Sequence, residues 1–174
     1  MLDDILLNLG DEKEFFRNAY TQVGQKKNLL HLACAYYNFK KIARRDVELK
    51  QIRKVNNFQT EFFACQMAEG DMDALFGVSA NEDAMLLLAG CMARCSFDEI
   101  DEDSYDALCE FANLVNGKFV GYMEQDDVDL NPIPPMCCEN CKIKANGDFC
   151  ILTISVDGKN LDFISVVDVI PYMR

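Results

Sequence analysis

The stretch DALCEFANLVNGKFVGYMEQ, Asp106–Gln125, decides how the rest of the chain is read. At about 100° per residue, as 3.6 residues per turn requires, Leu108, Phe111, Ala112, Val115, Phe119, Tyr122 and Met123 fall on one side. That is the apolar stripe of a helix lying on a core. Asp106, Glu110, Asn113 and Gly117 fall together on the opposite side, in a band about 60° wide. Glycine inside an exposed helix costs about 1 kcal/mol against alanine. Asparagine is also a poor interior choice, because its amide competes for backbone partners. Two unfavourable choices on one outward face fit either plain solvated surface or a site that another surface approaches closely.

Around this stretch the elements alternate in kind. The helix is expected from about Glu102 to Gln125, with the acids of FDEIDEDS (97–104) facing the positive end of its dipole. Ser79-Ala80-Asn81-Glu82 has capping-box spacing ahead of a second helix through AMLLLAGCMARC. β-Favouring residues flank Gly70-Asp71, an expected hairpin. Pro132, Pro134 and Pro135 exclude helix. Asn146-Gly147 and Asp157-Gly158 are tight-turn signals on either side of FCILTISV, and the chain continues through VDGKNLDFISVVDV into a last strand. The order of helices, hairpin, two helices and antiparallel strands makes the fold α+β. Residues 1–54 lack proline and carry helical spacing at Leu29, Leu30, Leu32, Ala33, Tyr36, Tyr37 and Ile42. They are expected to form a helical extension before a domain of residues 55–174. Seven basic residues against two acids between Lys40 and Lys54 read as a solvated helix face or a docking surface for an acidic partner.

Bulk properties exclude several function classes. A net charge of −12 argues against nucleic acid and anionic membrane, both of which need clustered cations. The acidic start MLDDILLNLG has no basic n-region, and no apolar run reaches membrane-spanning length, so a cytoplasmic protein is expected. Nine cysteines without a secretion signal fit reduced thiols better than a disulfide framework. Cys137, Cys138 and Cys141 include a Cys-x-x-Cys, but no second pair or paired histidine completes four zinc ligands. Cys91 and Cys95 lie in an apolar segment where cysteine acts as a small hydrophobe. His31, the single histidine, sits in LLHLACAYY and reads as a half-buried structural residue. No phosphate-binding glycine loop, nucleophile elbow or EF-hand spacing occurs.

From about Phe58 to Val169 the chain resembles the CheC/CheX/FliY phosphatase family, and specifically a CheX-like domain. The resemblance rests on Asp106, Glu110-x-x-Asn113, Gly117-Lys118 and Pro134-Pro135 in that order, after the hairpin-to-helix segment GDMDALFGVSANEDAMLLLA. It implies long helices packed on one face of an antiparallel sheet, and hydrolysis of the aspartyl phosphate of a CheY-like receiver domain. Asn113 would orient the attacking water and Glu110 would pair with the receiver's lysine, with Asp106 and Gly117 on the docking surface. The chain would need no cofactor of its own, Mg2+ belonging to the receiver. A homodimer joined through the sheets is implied, with the strand from Leu161 as an edge. Two-site relatives carry a second Glu-x-x-Asn; here Glu14 and Asn18 have the wrong spacing, so one active face is expected. The alternative is a non-catalytic dimerisation or receiver-binding module of the same fold.

Overall fold

The structure, a computed structural model, describes residues 2–168 and 171–173. Val169, where the resemblance ends, lies outside them. The helices α1 (Leu2–Leu7), α2 (Lys13–Val23) and α3 (Lys26–Ala43) come first, followed by strands β1 (Glu48–Gly70) and β2 (Ala74–Ala80). Helices α4 (Glu82–Ala93) and α5 (Glu102–Glu124) precede β3 (Leu130–Pro132), β4 (Met136–Val156), β5 (Lys159–Val167) and β6 (Pro171–Met173). The fold is α+β, and every strand pairing among the described residues is antiparallel.

The sheet closes because two strands are long enough to pair twice. β1 runs 23 residues and β4 runs 21. β1 pairs with β2 over Phe62–Ala68, β2 with β5, and β5 with β4 over Cys150–Val156. β1 and β4 then meet again, from Glu48 opposite Ser155 to Cys65 opposite Met136. Alternation along these strands builds two cores. Ala64, Ala68, Phe76, Val78, Leu152, Ile154 and Phe163 face α3, α4 and α5. Phe63, Cys65, Leu75, Ile143, Phe149, Ile151, Ile164 and Val166 are buried on the other face.

Several local expectations yield to long-range pairing. The Gly70-Asp71 hairpin forms, with Gly70 set where a Cβ would come within 2.2 Å of the Asp129 carbonyl oxygen. Asp157 and Gly158 make the β4–β5 turn, with φ of 50° and 77°. Asn146-Gly147 makes no turn: it lies inside β4, where a register shift opposite Asn56 absorbs the extra residues. Ser79 does not cap α4; it is in β2 and its hydroxyl donates to Thr60 Oγ1, while Asn81 accepts from the Ala84 amide as the true cap. The strand from Leu161 is not an edge, because β5 is paired on both sides. The free edges lie at β3 and β6. The expected division at residue 54 falls inside β1, and α3 packs into the same core as α5. The basic run is shared between the end of α3 and β1, where Lys40, Arg45, Arg53 and Lys54 pair with Glu12, Asp157, Asp162 and Asp148.

Cysteine also departs from expectation at one pair. Asn140 has a left-handed φ of 52°, and the alternation of β4 slips there, so Cys138 and Cys141 both turn toward the second core. They form a disulfide, and the other seven cysteines are free.

His31 sits fully buried in α3, stacked on Phe119 with ring centroids 4.0 Å apart. Its Nε2 lies 2.9 Å from Asn116 Oδ1 and its Nδ1 lies 3.1 Å from Ser165 Oγ. Burial drives its pKa from 6.5 down to about 3, against the opposing effect of the Asn116 hydrogen bond. Between those values the unfolded chain holds one proton more than the folded one. Stability therefore rises with pH across this window and falls as pH drops from 6.5. Denaturant titration should show His31 contributing a loss of about 2 kcal/mol between pH 7 and pH 5, and a His31→Gln variant should lack that component of the slope.

Candidate functional site

The site is carried by α5, a 23-residue helix that starts on a reciprocal cap. Asp101 Oδ1 accepts from the Ser104 amide at 2.8 Å, and Ser104 Oγ accepts from the Asp101 amide at 2.7 Å. Leu108, Phe111, Ala112, Val115, Phe119 and Met123 are buried as the stripe requires, and Tyr122 is half-buried. Asp106, Glu110, Gly117 and Lys118 are exposed, and Asn113 is half-buried. The helix is unbroken between Glu110 and Asn113. Residues three apart on a helix are surface neighbours, with about 5–6 Å between Cβ atoms. A carboxylate and an amide therefore stand side by side on the outer face.

What distinguishes Asn113 from a solvated surface amide is its anchor. Gln66 of β1 is 4% exposed and faces the helices at the position between Ala64 and Ala68. Its Nε2 donates to Asn113 Oδ1 at 2.5 Å and to the Ile133 carbonyl at 2.9 Å. Its Oε1 and its backbone carbonyl both accept from Asn116 Nδ2, at 3.1 and 2.9 Å. Asn116 is fully buried and joins this cluster to His31, Ser165 and Asn28 beyond. A polar seam thus runs from Asn113 through the helix–sheet interface, and no buried side-chain nitrogen or oxygen among the described residues is left without a partner. Ile133 begins the segment that contains Pro134-Pro135, so one glutamine ties that segment and the site helix together.

Helical spacing in the sequence places Glu110, Asn113, Asp106 and Gly117 on one face but does not mark Gln66 and Asn116. The signal for Gln66 is faint: a lone amide at an inward position of the alternating run FFACQMA. Gly117 is not required by the chain's own packing, since a Cβ there would meet nothing within 4 Å, and Gly121 one turn on is the same.

The thiols beside the site are chemically quiet. Cys109 and Cys137 lie with their sulfurs 3.6 Å apart, and Tyr105 donates to Glu139 alongside, which holds the start of β4 to α5. Burial pushes both thiols above their ordinary range, and the charges of Asp106 and Glu110 push Cys109 further. Thiols held protonated are poor nucleophiles and poor metal ligands. Among the described residues, no group of three or more His, Cys, Asp or Glu side chains is placed to hold a metal ion. No described helix is long and apolar enough to cross a membrane.

Known proteins of similar shape share this architecture. The chemotaxis protein CheX of Desulfovibrio desulfuricans superposes with a TM-score of 0.67 at 11% identity, covering 79% of this chain and 95% of its own. A CheC-like superfamily protein of Shewanella sp. PV-4 gives 0.66 at 14% identity, covering 79% and 94%. The CheX of the CheX–CheY–BeF3–Mg2+ complex from Borrelia burgdorferi gives 0.64 at 14%, again covering 79% and 94%. None of the curated proteins matches the chain in sequence. At these identities the likeness establishes the fold. Residues 62–156, which hold β2, α4, the whole site helix, β3 and all of β4, match the family described as chemotaxis phosphatase CheX, and the chain belongs to that family.

Proposed function

We propose that this chain hydrolyses the aspartyl phosphate of a CheY-like receiver domain, docking the outer face of α5 onto the receiver's active site. The observation that carries this reading is the placement of Glu110 and Asn113 one turn apart: the carboxylate is exposed and outward, and the amide beside it is outward but tethered. The Borrelia burgdorferi structure, in which a CheX is complexed with CheY, BeF3 and Mg2+, supports the choice of partner.

In this reading Asn113 holds the attacking water and Glu110 pairs with a lysine of the receiver. The water oxygen forms the new bond to phosphorus as the bond to the aspartyl oxygen breaks. The electron pair stays on the aspartate, and a water proton leaves with phosphate or solvent. Phosphoryl transfer needs little covalent help, so position and in-line geometry supply most of the acceleration. A neutral amide suits the task because it can hold water without repelling the phosphoryl group. A carboxylate facing a lysine in a closed interface forms a charge-assisted hydrogen bond stronger than a surface pair. Mg2+ is assigned to the receiver, and this chain's own residues only bind, orient and exclude solvent. Gly117 and Gly121 leave the helix backbone bare where the two surfaces would meet.

Phosphate release from a panel of phosphorylated CheY-like receivers tests the reading. Asn113→Ala should lower the stimulated rate about 100-fold or more with binding retained; full activity in that variant overturns the assignment. Glu110→Ala should weaken receiver binding about tenfold to a hundredfold, and unchanged affinity removes its docking role. Gly117→Ala should raise thermal stability by about 1 kcal/mol, as expected for an unhindered helix position, while weakening receiver engagement. A variant that is both more stable and equally active would show that no partner comes close there.

A further inference from the structure

We infer that Gln66 is a positioning residue for the hydrolysis: it fixes which end of the Asn113 amide faces the docked receiver, an inference that rests on the role of Asn113 proposed above. Groups that can only accept set the orientation. The Ile133 carbonyl lies 2.9 Å from one end of the Gln66 side chain, so that end must be the NH2. The other end lies 3.1 Å from Asn116 Nδ2, whose own sense is set by the Gln66 backbone carbonyl at 2.9 Å, so it must be the oxygen. Two backbone carbonyls therefore lock the glutamine in one orientation.

The atom of Asn113 that meets the Gln66 NH2 must then be Oδ1. Its Nδ2 is left pointing away from the seam, with two N–H donors on the face that carries Glu110. A free asparagine would present either end, and would also turn about its side-chain torsions. The tethered one presents donors to a water oxygen and leaves the water's own hydrogens for acceptors on the receiver. Gln66 sits beneath the helix with 4% exposure and touches no partner itself. Its effect should therefore appear in turnover and not in docking.

Gln66→Met keeps the length and volume of the side chain and removes both polar ends. With a phosphorylated receiver, this variant should lose about tenfold or more in kcat with KM unchanged, while Asn113→Ala is inactive. In 15N–1H spectra the Asn113 side-chain NH2 pair, identified by its absence from Asn113→Ala, should shift in Gln66→Met. In the unaltered protein a through-hydrogen-bond coupling should link Gln66 Nε2 to the Asn113 side-chain carbonyl carbon, a readout that needs no variant to fold. Wild-type kcat in Gln66→Met beside an inactive Asn113→Ala overturns the inference and leaves the proposed reaction standing. A rise in KM equal to the fall in kcat, or absence of the coupling, also overturns it. An active Asn113→Ala instead removes the role proposed for Asn113, on which this inference rests, and the coupling still reports the orientation.

Discussion

The carbonyls of Ile133 and Gln66 accept hydrogen bonds and never donate them, and both lie in the narrow seam between α5 and β1. Each faces a side-chain amide that, in water, would be free to turn over. Once these two acceptors are buried, Gln66 and Asn116 each have a single orientation that leaves nothing unpaired. The oxygen that Asn116 then offers to His31 Nε2 selects the ring tautomer with hydrogen on that nitrogen. Reversing any one amide would set two acceptors or two donors face to face in a dry interface, where an unpaired group costs about 1–3 kcal/mol. The seam is thus a directed object with one end at the outer face of α5.

Burial in turn explains why α3 belongs to the site's support although it lies far from it in sequence. His31 is neutral at physiological pH because its surroundings will not solvate a charge. A neutral imidazole keeps one N–H donor, and here the Asn116 oxygen receives it. The aromatic packing around it, with Phe76 and Phe119 against the ring, keeps water out of the seam. On the far flank, the Tyr105–Glu139 and Cys109–Cys137 contacts hold β4 to the helix, so both chain segments that follow Pro134-Pro135 and precede it are pinned.

How much of this was legible in the sequence follows from which contacts are local. The α5 stripe was readable because one face of a helix meets one core, and its bounds came out within a residue. The outward set of Asp106, Glu110 and Gly117 was readable for the same reason. Asn116 was not, since a buried amide on the edge of an apolar stripe makes sense only with Gln66 fifty residues away. Asn146-Gly147 misleads because Lys144 and Phe149 on either side pair with β1 and the dipeptide falls in the register shift opposite Asn56, and Ser79 misleads because a strand hydroxyl found Thr60 first. The bonded Cys138 and Cys141 needed a slip of alternation at Asn140 that residue types alone do not announce.

Asn113 is half-buried where a purely solvated amide would serve a weaker purpose. Holding one rotamer-rich side chain in place costs about 0.5–1.5 kcal/mol when it is done at the moment of association. Here that ordering is done on folding, within a network that is already complete, so that in the proposed reaction a receiver would meet an amide whose donors are aimed beforehand. Reactions that depend on placement of a single water lose rate steeply with small errors in geometry. A second-layer glutamine inside a closed sheet is therefore a firmer mount than anything the exposed face of α5 could supply. It also explains why so little of the proposed site is visible from outside: one carboxylate and one amide are all it asks of the contact face, and the direction of the amide is decided in the core.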